Sequence, residues 1–325
     1  MSTAFLLEGI ELGAPQLLAP GCAVYPVMAS PRQRRTITLT EALKEKKVSF
    51  HECNESGIVG ALQVKVATEQ PVLVLEGELL IGGKQNRTVN LTLLLPPGEH
   101  RIGVSCVEQG RWSRRWRFAP FPPITRTPQP ASEFDSYDYM LDSTIREYKL
   151  RWLKLRAEGA IQGAVWRGVG NVLRRSNAQN ITSDFSEHYR RNRRAIEEYI
   201  NKVEPQPNQI GIAIALYGKP YALEYVDSPD TWKHVHRRVL GSYASTLIGS
   251  AEYLHDQGQP TVEEMRAAFL DNQVVVEPRP APAGIGTHIL LRDSRKNGVH
   301  YRSPLAGFAL QADECIYHAV LMRSN

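Results

Sequence analysis

VLVLEGELLIGGKQNRTVN, running from Val72 to Asn90, is the stretch on which the reading of the fold turns. Two hydrophobic segments of strand character flank Gly82 and Gly83. Four consecutive side chains that hydrogen-bond or carry charge follow them: Lys84, Gln85, Asn86 and Arg87. A glycine pair between two such segments marks a hairpin, because the favoured two-residue turns need positive φ and glycine adopts it without strain. With Gly82 and Gly83 as the turn, Leu80 is expected opposite Gln85, Leu79 opposite Asn86, and Glu78 opposite Arg87. Side chains alternate along a strand, so Glu76, Glu78, Gln85 and Arg87 should share one face, with Asn86 on the other. Two readings follow. The cluster is a solvated cross-strand ion pair of small energetic weight, or it is a ligand-facing group placed beside glycines that let a ligand approach the backbone.

Around this stretch, β character runs from Gly21 to Phe118. AVYPVMA, IVGALQVKV, VLVLEGEL, RTVNLTLLL, HRIGVSCVE and RWSRRWRF are short β-branched and aromatic runs separated by turn residues. SCVEQGRW suggests a second hairpin about Gln109 and Gly110, with Glu108 opposite Arg111 and Cys106 opposite Ser113. No histidine lies locally beside Cys106 to act as its base, so a buried cysteine is the plainer reading. In RWSRRWRF, Trp112, Trp116 and Phe118 are interleaved with Arg111, Arg115 and Arg117. Such a strand could stack bases and hold phosphates, or simply have one aromatic and one solvated face.

APFPPITRTPQPAS then carries five prolines between Pro120 and Pro130, which excludes helix and central strand and reads as a connector. Beyond it the period changes to that of a helix. Tyr137, Leu141, Ile145, Tyr148, Trp152 and Leu155 predict a helix from about Phe134 to Arg156, with a second over Gln162 to Leu173. A third opens at Asp184, with Glu187 three residues on, and runs to Lys202 with the stripe Phe185, Tyr189, Ile196, Ile200. IGIAIALY and KPYALEYV form a hairpin about Gly218 and Lys219. Ser228 as N-cap and Pro229 as first helical residue start a long helix reaching Leu247. A short helix over Val262 to Leu270 precedes THILLRD, GVHYR, AGFALQ and ECIYHAVLM, a meander whose last turn is Ala312 and Asp313.

The expected class is therefore α+β, with an antiparallel β-rich N-terminal region, a helical middle and a C-terminal antiparallel β meander. The expected division is a β-rich region 1–119, a connector 120–132, a mainly helical region 133–272 with one hairpin, and a meander 273–325 that completes one domain with 1–119.

The 325 residues are 42% hydrophobic and 22% charged, which is ordinary globular usage. No apolar run approaches the roughly 20 residues that cross a bilayer, and the start MSTAFLLEGIELG lacks a basic region and contains Glu8 and Glu11. A cytoplasmic protein is expected. Four cysteines without a CxxC pair and nine histidines without HExxH predict no metal site, and no phosphate-binding glycine loop is present. The net charge of +5 is clustered in arginine runs that suit phosphate-bearing partners. One candidate partner is therefore nucleic acid, through Arg111, Arg115, Arg117, Arg190 and Arg194.

The blocks VLEGELLIGGKQNRTVN, LLPPGEHRIGVSCVEQGRW, SDFSEHY and YVDSPDTWKHVHRRVLGSYA resemble the ARPP family, named for association with ADP-ribosylglycohydrolase, rhodanese and phosphatase-superfamily proteins. The resemblance runs from about Val48 to Leu247. It implies a role in NAD or ADP-ribose metabolism or in conflicts with phage, and a family-typical polar set of Glu76, Glu78, Gln85, Asn86, Arg87, Cys106, Glu108 and Trp112. On this reading Arg87 holds phosphate, Gln85 and Asn86 hydrogen-bond ribose or base, Trp112 completes the ligand site, and Glu78 or Glu108 is the acid or base if hydrolysis occurs. The competing reading is a non-catalytic nucleic-acid-binding or assembly subunit. Neither reading specifies a cofactor or decides whether there is turnover.

Overall fold

A computed structural model of the chain describes residues 3–29, 36–112, 132–153, 158–250, 258–270, 274–293 and 305–323. A short 3-10 helix (Thr3–Leu7) precedes β1 (Ile10–Leu12), β2 (Gln16–Ala19) and β3 (Cys22–Ala29). β4 (Ile37–Thr38) and α1 (Leu39–Lys44) lead to β5 (Val48–Glu52), β6 (Ala61–Val66), β7 (Val72–Val74), β8 (Glu78–Gly82), β9 (Arg87–Val89), β10 (Leu93–Leu95) and β11 (Gly98–Cys106). Then come β12 (Phe134–Met140), α2 (Ser143–Leu153), α3 (Glu158–Arg175) and α4 (Ser186–Ile200). β13 (Gln209–Leu216), β14 (Lys219–Val226), α5 (Pro229–Ala244), α6 (Val262–Ala268), β15 (Val274–Pro280), β16 (Thr287–Asp293), β17 (Leu305–Ala312) and β18 (Cys315–Arg323) complete the described order. The class is α+β, as the sequence implies.

The principal sheet runs β1-β3-β13-β14-β18-β17-β16-β15, with β2 also on β3. It joins strands from both ends of the chain through the hairpin β13–β14, whose turn is Tyr217 and Gly218, one residue earlier than expected, both at positive φ. β13 is buried at every position because both of its faces are covered. Ile212, Ile214 and Leu216 pack with α2, α3, α4 and α5, whereas Ile210, Ala213 and Ala215 pack with the N-terminal 3-10 helix and α6. Alternation carries the same division across the sheet. Ala222 and Val226 of β14, with Val320 and Met322 of β18, face the helices; Leu223, Tyr225, Ala319 and Leu321 face the other side. Glu224 and His318 therefore point towards the helices, the side on which they are completely buried.

A second sheet, β12-β8-β9-β11-β6-β5, and a small third one, β10-β7-β4, enclose their own core around Phe50, Leu62, Val64, Leu80, Val89, Ile102 and Phe134. The capping box of α1, in which Thr38 and Glu41 exchange hydrogen bonds, fixes the short helix against this core.

Several expectations are corrected. Residues 134–140 form β12, not the first turns of a helix: β12 pairs with β8, Phe134 opposite Gly82 and Met140 opposite Glu78. The segment FDSYDYM satisfies both a helical and an alternating pattern, and the exposed hydrogen-bonding edge of β8 decides between them. α3 is longer than expected, α4 begins at Ser186, and the run after α5 ends as a 3-10 turn at Ser245–Leu247. β15, VVVEPRP, is a strand beyond those expected; its two prolines sit on a sheet edge, where no ladder hydrogen bond is required of them. Ser228 and Pro229 start α5 as expected, with Ser228 Oγ accepting from Thr231 N. The last meander turn is Asp313 and Glu314, one residue later than expected, both at positive φ. GVHYR, RWSRRWRF beyond Trp112 and most of the proline run lie outside the described residues.

The register of the Gly82–Gly83 hairpin also differs. Leu80 opposes Arg87 and Leu79 opposes Thr88, so the pairing is shifted by two residues and Glu78 does not face Arg87. The glycines serve another purpose. A Cβ on Gly83 would lie 2.1 Å from the Phe134 ring, and one on Gly82 would lie 2.3 Å from Glu133 O. They are there so that β12 can cross over them, and Gly83 N donates to Glu133 O at 3.0 Å. With glycine spent on that crossing, residues 83–86 form a wider loop.

Candidate functional site

The loop 83–86 is held by Asn86. Its Oδ1 accepts from Gly82 N at 3.0 Å and from Arg111 Nη2 at 3.3 Å, and its Nδ2 donates to Asp184 Oδ1 at 2.9 Å. Asn86 N donates to Glu108 Oε2 at 3.2 Å, and Val107 N donates to Asn86 O at 3.0 Å. Glu108 is fully buried and also receives Arg111, from Nε at 2.9 Å and from Nη2 at 2.7 Å. Arg111 reaches on to the carbonyls of Gly82 and Gly83. Glu108 and Arg111 thus meet as expected, within one turn and against Asp184, with which Glu108 forms an isolated bridge. The expected partner of Cys106 at Ser113 lies outside the described residues. Cys106 pairs on its other side with Arg87, and its buried thiol donates to Glu108 O at 3.2 Å. Gln162 of α3 clasps its backbone from both ends. Burial raises the Cys106 thiol above its ordinary range, a state unsuited to nucleophilic attack.

Arg87 stands at the edge of this frame, on the same face of β9 as Val89 and across from Leu80, so it closes one end of the second sheet's core. Its Nη1 donates to Gln85 Oε1 at 3.2 Å, and Gln85 Nε2 donates to Glu108 O at 2.9 Å. The guanidinium carbon lies 5.6 Å from the centre of the Trp112 ring, and Lys84 Nζ lies 5.6 Å from the same centre. Arg87 is 0% exposed, yet its Nε and Nη2 have no hydrogen-bond partner. The closest carboxylate oxygen, Glu52 Oε1, is 4.0 Å from Nη2 and accepts instead from Lys84 N at 2.9 Å. Glu52 Oε2 is buried and also without a partner. Burial draws the Arg87 pKa below the usual arginine range, with Glu52 and Glu108 opposing it. Trp112, 44% exposed, is where the cluster meets solvent.

The other expected members lie elsewhere. Glu78 accepts from Arg238 Nη1 at 3.1 Å, and Arg238 Nη2 donates to Tyr137 O at 2.9 Å. Burial pushes the Glu78 carboxyl up to about 7, against the pull of Arg238. Glu76 belongs to a third cluster. Arg146 Nε donates to Glu76 Oε2 at 2.8 Å, and Lys149 Nζ pairs with Glu76 and donates to Val89 O at 2.7 Å. Arg146 also takes both oxygens of Glu224, at 2.7 and 3.0 Å, and donates to Ser242 Oγ at 2.9 Å. Tyr243 OH donates to Glu224 Oε2 at 2.6 Å. With its proton on Nε2, His318 donates to Glu224 Oε1 at 3.1 Å. Its Nδ1 then accepts from Thr92 Oγ1 at 2.7 Å, which itself accepts from Glu76 N at 2.9 Å. Burial works against ionisation of Glu224, but Arg146 and His318 hold it at about 2. This loop of charge ties the β7–β8 connection, β9, β14, β18, α2 and α5 together.

Of the residues expected at the site, the structure brings Gln85, Asn86, Arg87, Glu108 and Trp112 together, adds Glu52, Lys84, Arg111 and Asp184, and places Glu78 and Glu76 in separate clusters. Sequence reasoning missed Glu52. The signal for it was present: in VSFHE the alternation that buries Val48 and Phe50 also turns Glu52 inward. Arg146, Lys149, Glu224 and His318 had no local signal. Of the arginines considered for nucleic acid, Arg190 shares Glu187 with its neighbour Arg191, at 2.7 and 2.5 Å, and Arg194 binds Glu198 at 3.2 Å, all on α4. Arg115 and Arg117 lie outside the described residues. Among the described residues no helix is long and apolar enough to cross a membrane, and no group of three or more His, Cys, Asp or Glu could hold a metal ion.

Against known families, residues 9–322 match the model of the ARG and Rhodanese-Phosphatase-superfamily-associated Protein domain, ARPP-1, nearly the whole chain. No curated protein and no solved structure matches.

Proposed function

The chain belongs to the ARPP-1 family, and on that premise we propose that it binds a phosphate-bearing, nucleotide-like ligand of the ADP-ribose or NAD class at Arg87 and Trp112. The observation that supports this reading is a buried guanidinium with two N–H groups unmatched, beneath an aromatic ring open to solvent. A buried cation left without partners is costly, and a phosphate oxygen is the partner whose geometry an arginine fork accepts best. Trp112 offers a face on which a base stacks. Gln85 and Asn86 have their amides committed to the frame, so they act by holding Arg87 and the loop in place. Glu108, already bound by Arg111 and Asn86 N, does the same. The proposal is accordingly one of binding, with Glu78 reserved for its pairing with Arg238.

Isothermal titration with ADP-ribose and with NAD tests this. Native protein is expected to give saturable heat with at least one of them. Arg87→Ala is expected to lose it while keeping its thermal transition. Absence of heat with both ligands in the native protein would refute the proposal.

A further inference from the structure

The turn between β5 and β6, residues 53–59, lies against the Arg87 cluster. Its two ends are fixed. Glu52 pairs with Leu62 and its N donates to Glu133 Oε2 at 3.1 Å, and Gly60 O accepts from Val104 N at 3.0 Å. Among the described residues, the backbone bonds between those ends are local: Gly57 N donates to the backbone and side-chain oxygens of Asn54, and Ala61 N donates to Ile58 O. Asn54, Glu55, Ser56 and Val59 are exposed. A short segment with solvated side chains and local hydrogen bonds opens at low free energy, while the strands that anchor it stay paired.

What holds the turn down is contact at Gly57. A Cβ built there would lie 3.0 Å from Lys84 Cδ, 3.1 Å from Trp112 Cζ2 and 3.2 Å from Glu52 Oε2. Glycine lets the chain come this close, and it adopts the φ of +76° without strain. Behind those three groups is Arg87, 0% exposed, with Glu52 Oε1 4.0 Å from its Nη2 and the Trp112 ring centre 5.6 Å from its guanidinium carbon. With no exposed surface, Arg87 is out of reach of any solute while the turn is down. Its two unmatched N–H groups are therefore binding capacity held behind a cover.

We propose that residues 53–59 are a strap over the Arg87 site, closed in this structure, and that lifting the turn off Trp112 and Lys84 is the step that admits the anion. The proposal rests on the nucleotide reading above and adds the regulation of its site. Glu52 and Gly60 are the hinges. A Cβ on Gly60 would have nothing within 4 Å, so that end swings unobstructed. Closure by a short loop of this kind shuts water out of a site and sets the rate at which ligand enters and leaves.

Phenylglyoxal, which modifies accessible guanidinium groups, reads the opening without any ligand. Its reaction with Arg87, Arg146 and Arg194 is followed by peptide mass in native protein, Gly57→Ala and Lys84→Ala, with thermal melting to show that each variant is folded. Arg194, exposed on α4, sets the fast limit; Arg146, enclosed in its own ion pairs, reacts only through global unfolding. Native Arg87 is expected to react at a rate between the two. A Cβ at residue 57 strains the turn as it lies closed, so Gly57→Ala should speed Arg87 about tenfold, the scale of a side chain forced into left-handed backbone, with Arg146 unchanged. Lys84→Ala removes the ammonium over the indole and should speed it about two- to fivefold; it decides the matter if Gly57→Ala does not fold. ADP-ribose should slow Arg87 in the native protein. If native Arg87 reacts as fast as Arg194, if no folded variant accelerates it, or if Arg87 and Arg146 accelerate together, the strap is overturned, and the nucleotide reading is judged by its own titration. If the variants accelerate Arg87 while ADP-ribose and NAD neither protect it nor give heat, the strap stands and the nucleotide reading falls.

Discussion

Arg146 on α2 and Arg87 on β9 are both arginines with no exposed surface, and both are within reach of carboxylates. Arg146 is closed. Its fork is met by Glu76, both oxygens of Glu224 and Ser242, and the ring of contacts continues through Lys149, Tyr243, His318 and Thr92. Arg87 is open. One nitrogen donates to Gln85, the closest carboxylate stands off at 4.0 Å, and the remaining donors face no acceptor. The difference separates two uses of buried charge. A satisfied network has no capacity left for a ligand and specifies how the layers pack, whereas an unsatisfied one retains binding capacity at the expense of stability.

Arg146→Met attacks the closed cluster and should have the largest effect. It removes the cation that Glu76 and Glu224 share, leaving Glu76 to Lys149 and Glu224 to Tyr243 and His318, and taking one partner out of a buried ion pair costs about 3–5 kcal/mol; chemical denaturation should show a lower midpoint of that order. A loss below about 1 kcal/mol would mean that the network contributes little.

Acid should weaken the same cluster next. Glu224 is held at about 2 in the folded chain and returns to the ordinary carboxylate range on unfolding. Its stabilisation is therefore complete above that ordinary value and is lost as the pH falls towards 2, by about 3 kcal/mol. Urea midpoints measured between pH 5 and pH 2.5 should fall accordingly, and the slope should flatten in Arg146→Met. An unchanged slope in that variant would assign the acid sensitivity to other groups.

The open cluster should respond in the opposite sense and least. Arg87→Met exchanges a poorly matched buried cation for an apolar side chain of similar length, so stability should hold within about 1 kcal/mol or rise. A loss comparable to that of Arg146→Met would erase the distinction between the two arginines.

The legible parts of the fold were those that local chemistry dictates. Ser228 and Pro229 start α5, Phe185, Tyr189, Ile196 and Ile200 line the buried side of α4, and the hairpin β13–β14 turns where Gly218 allows. Each depends on periodicity, a cap or a positive φ, properties of neighbouring residues. The hairpin register and β12 were misread because Gly82, Gly83 and Phe134 answer to one another across fifty residues of chain. A glycine pair between strands reads as a turn until the strand that crosses it is known.

The candidate site divides in the same way. The polar run Lys84 to Arg87 and the block around Glu108 stood out from the sequence, and Glu52 could have been found by its alternation with Val48 and Phe50. That Asn86 binds Asp184, or that Arg146 joins Glu76 to Glu224 and shares that carboxylate with His318, could not. Residue order alone was enough for the α+β class, most element positions and the family. Which charges are satisfied and which are left open was settled in three dimensions, because ion pairing in the interior depends on distances between segments far apart in the chain, and no local pattern encodes them.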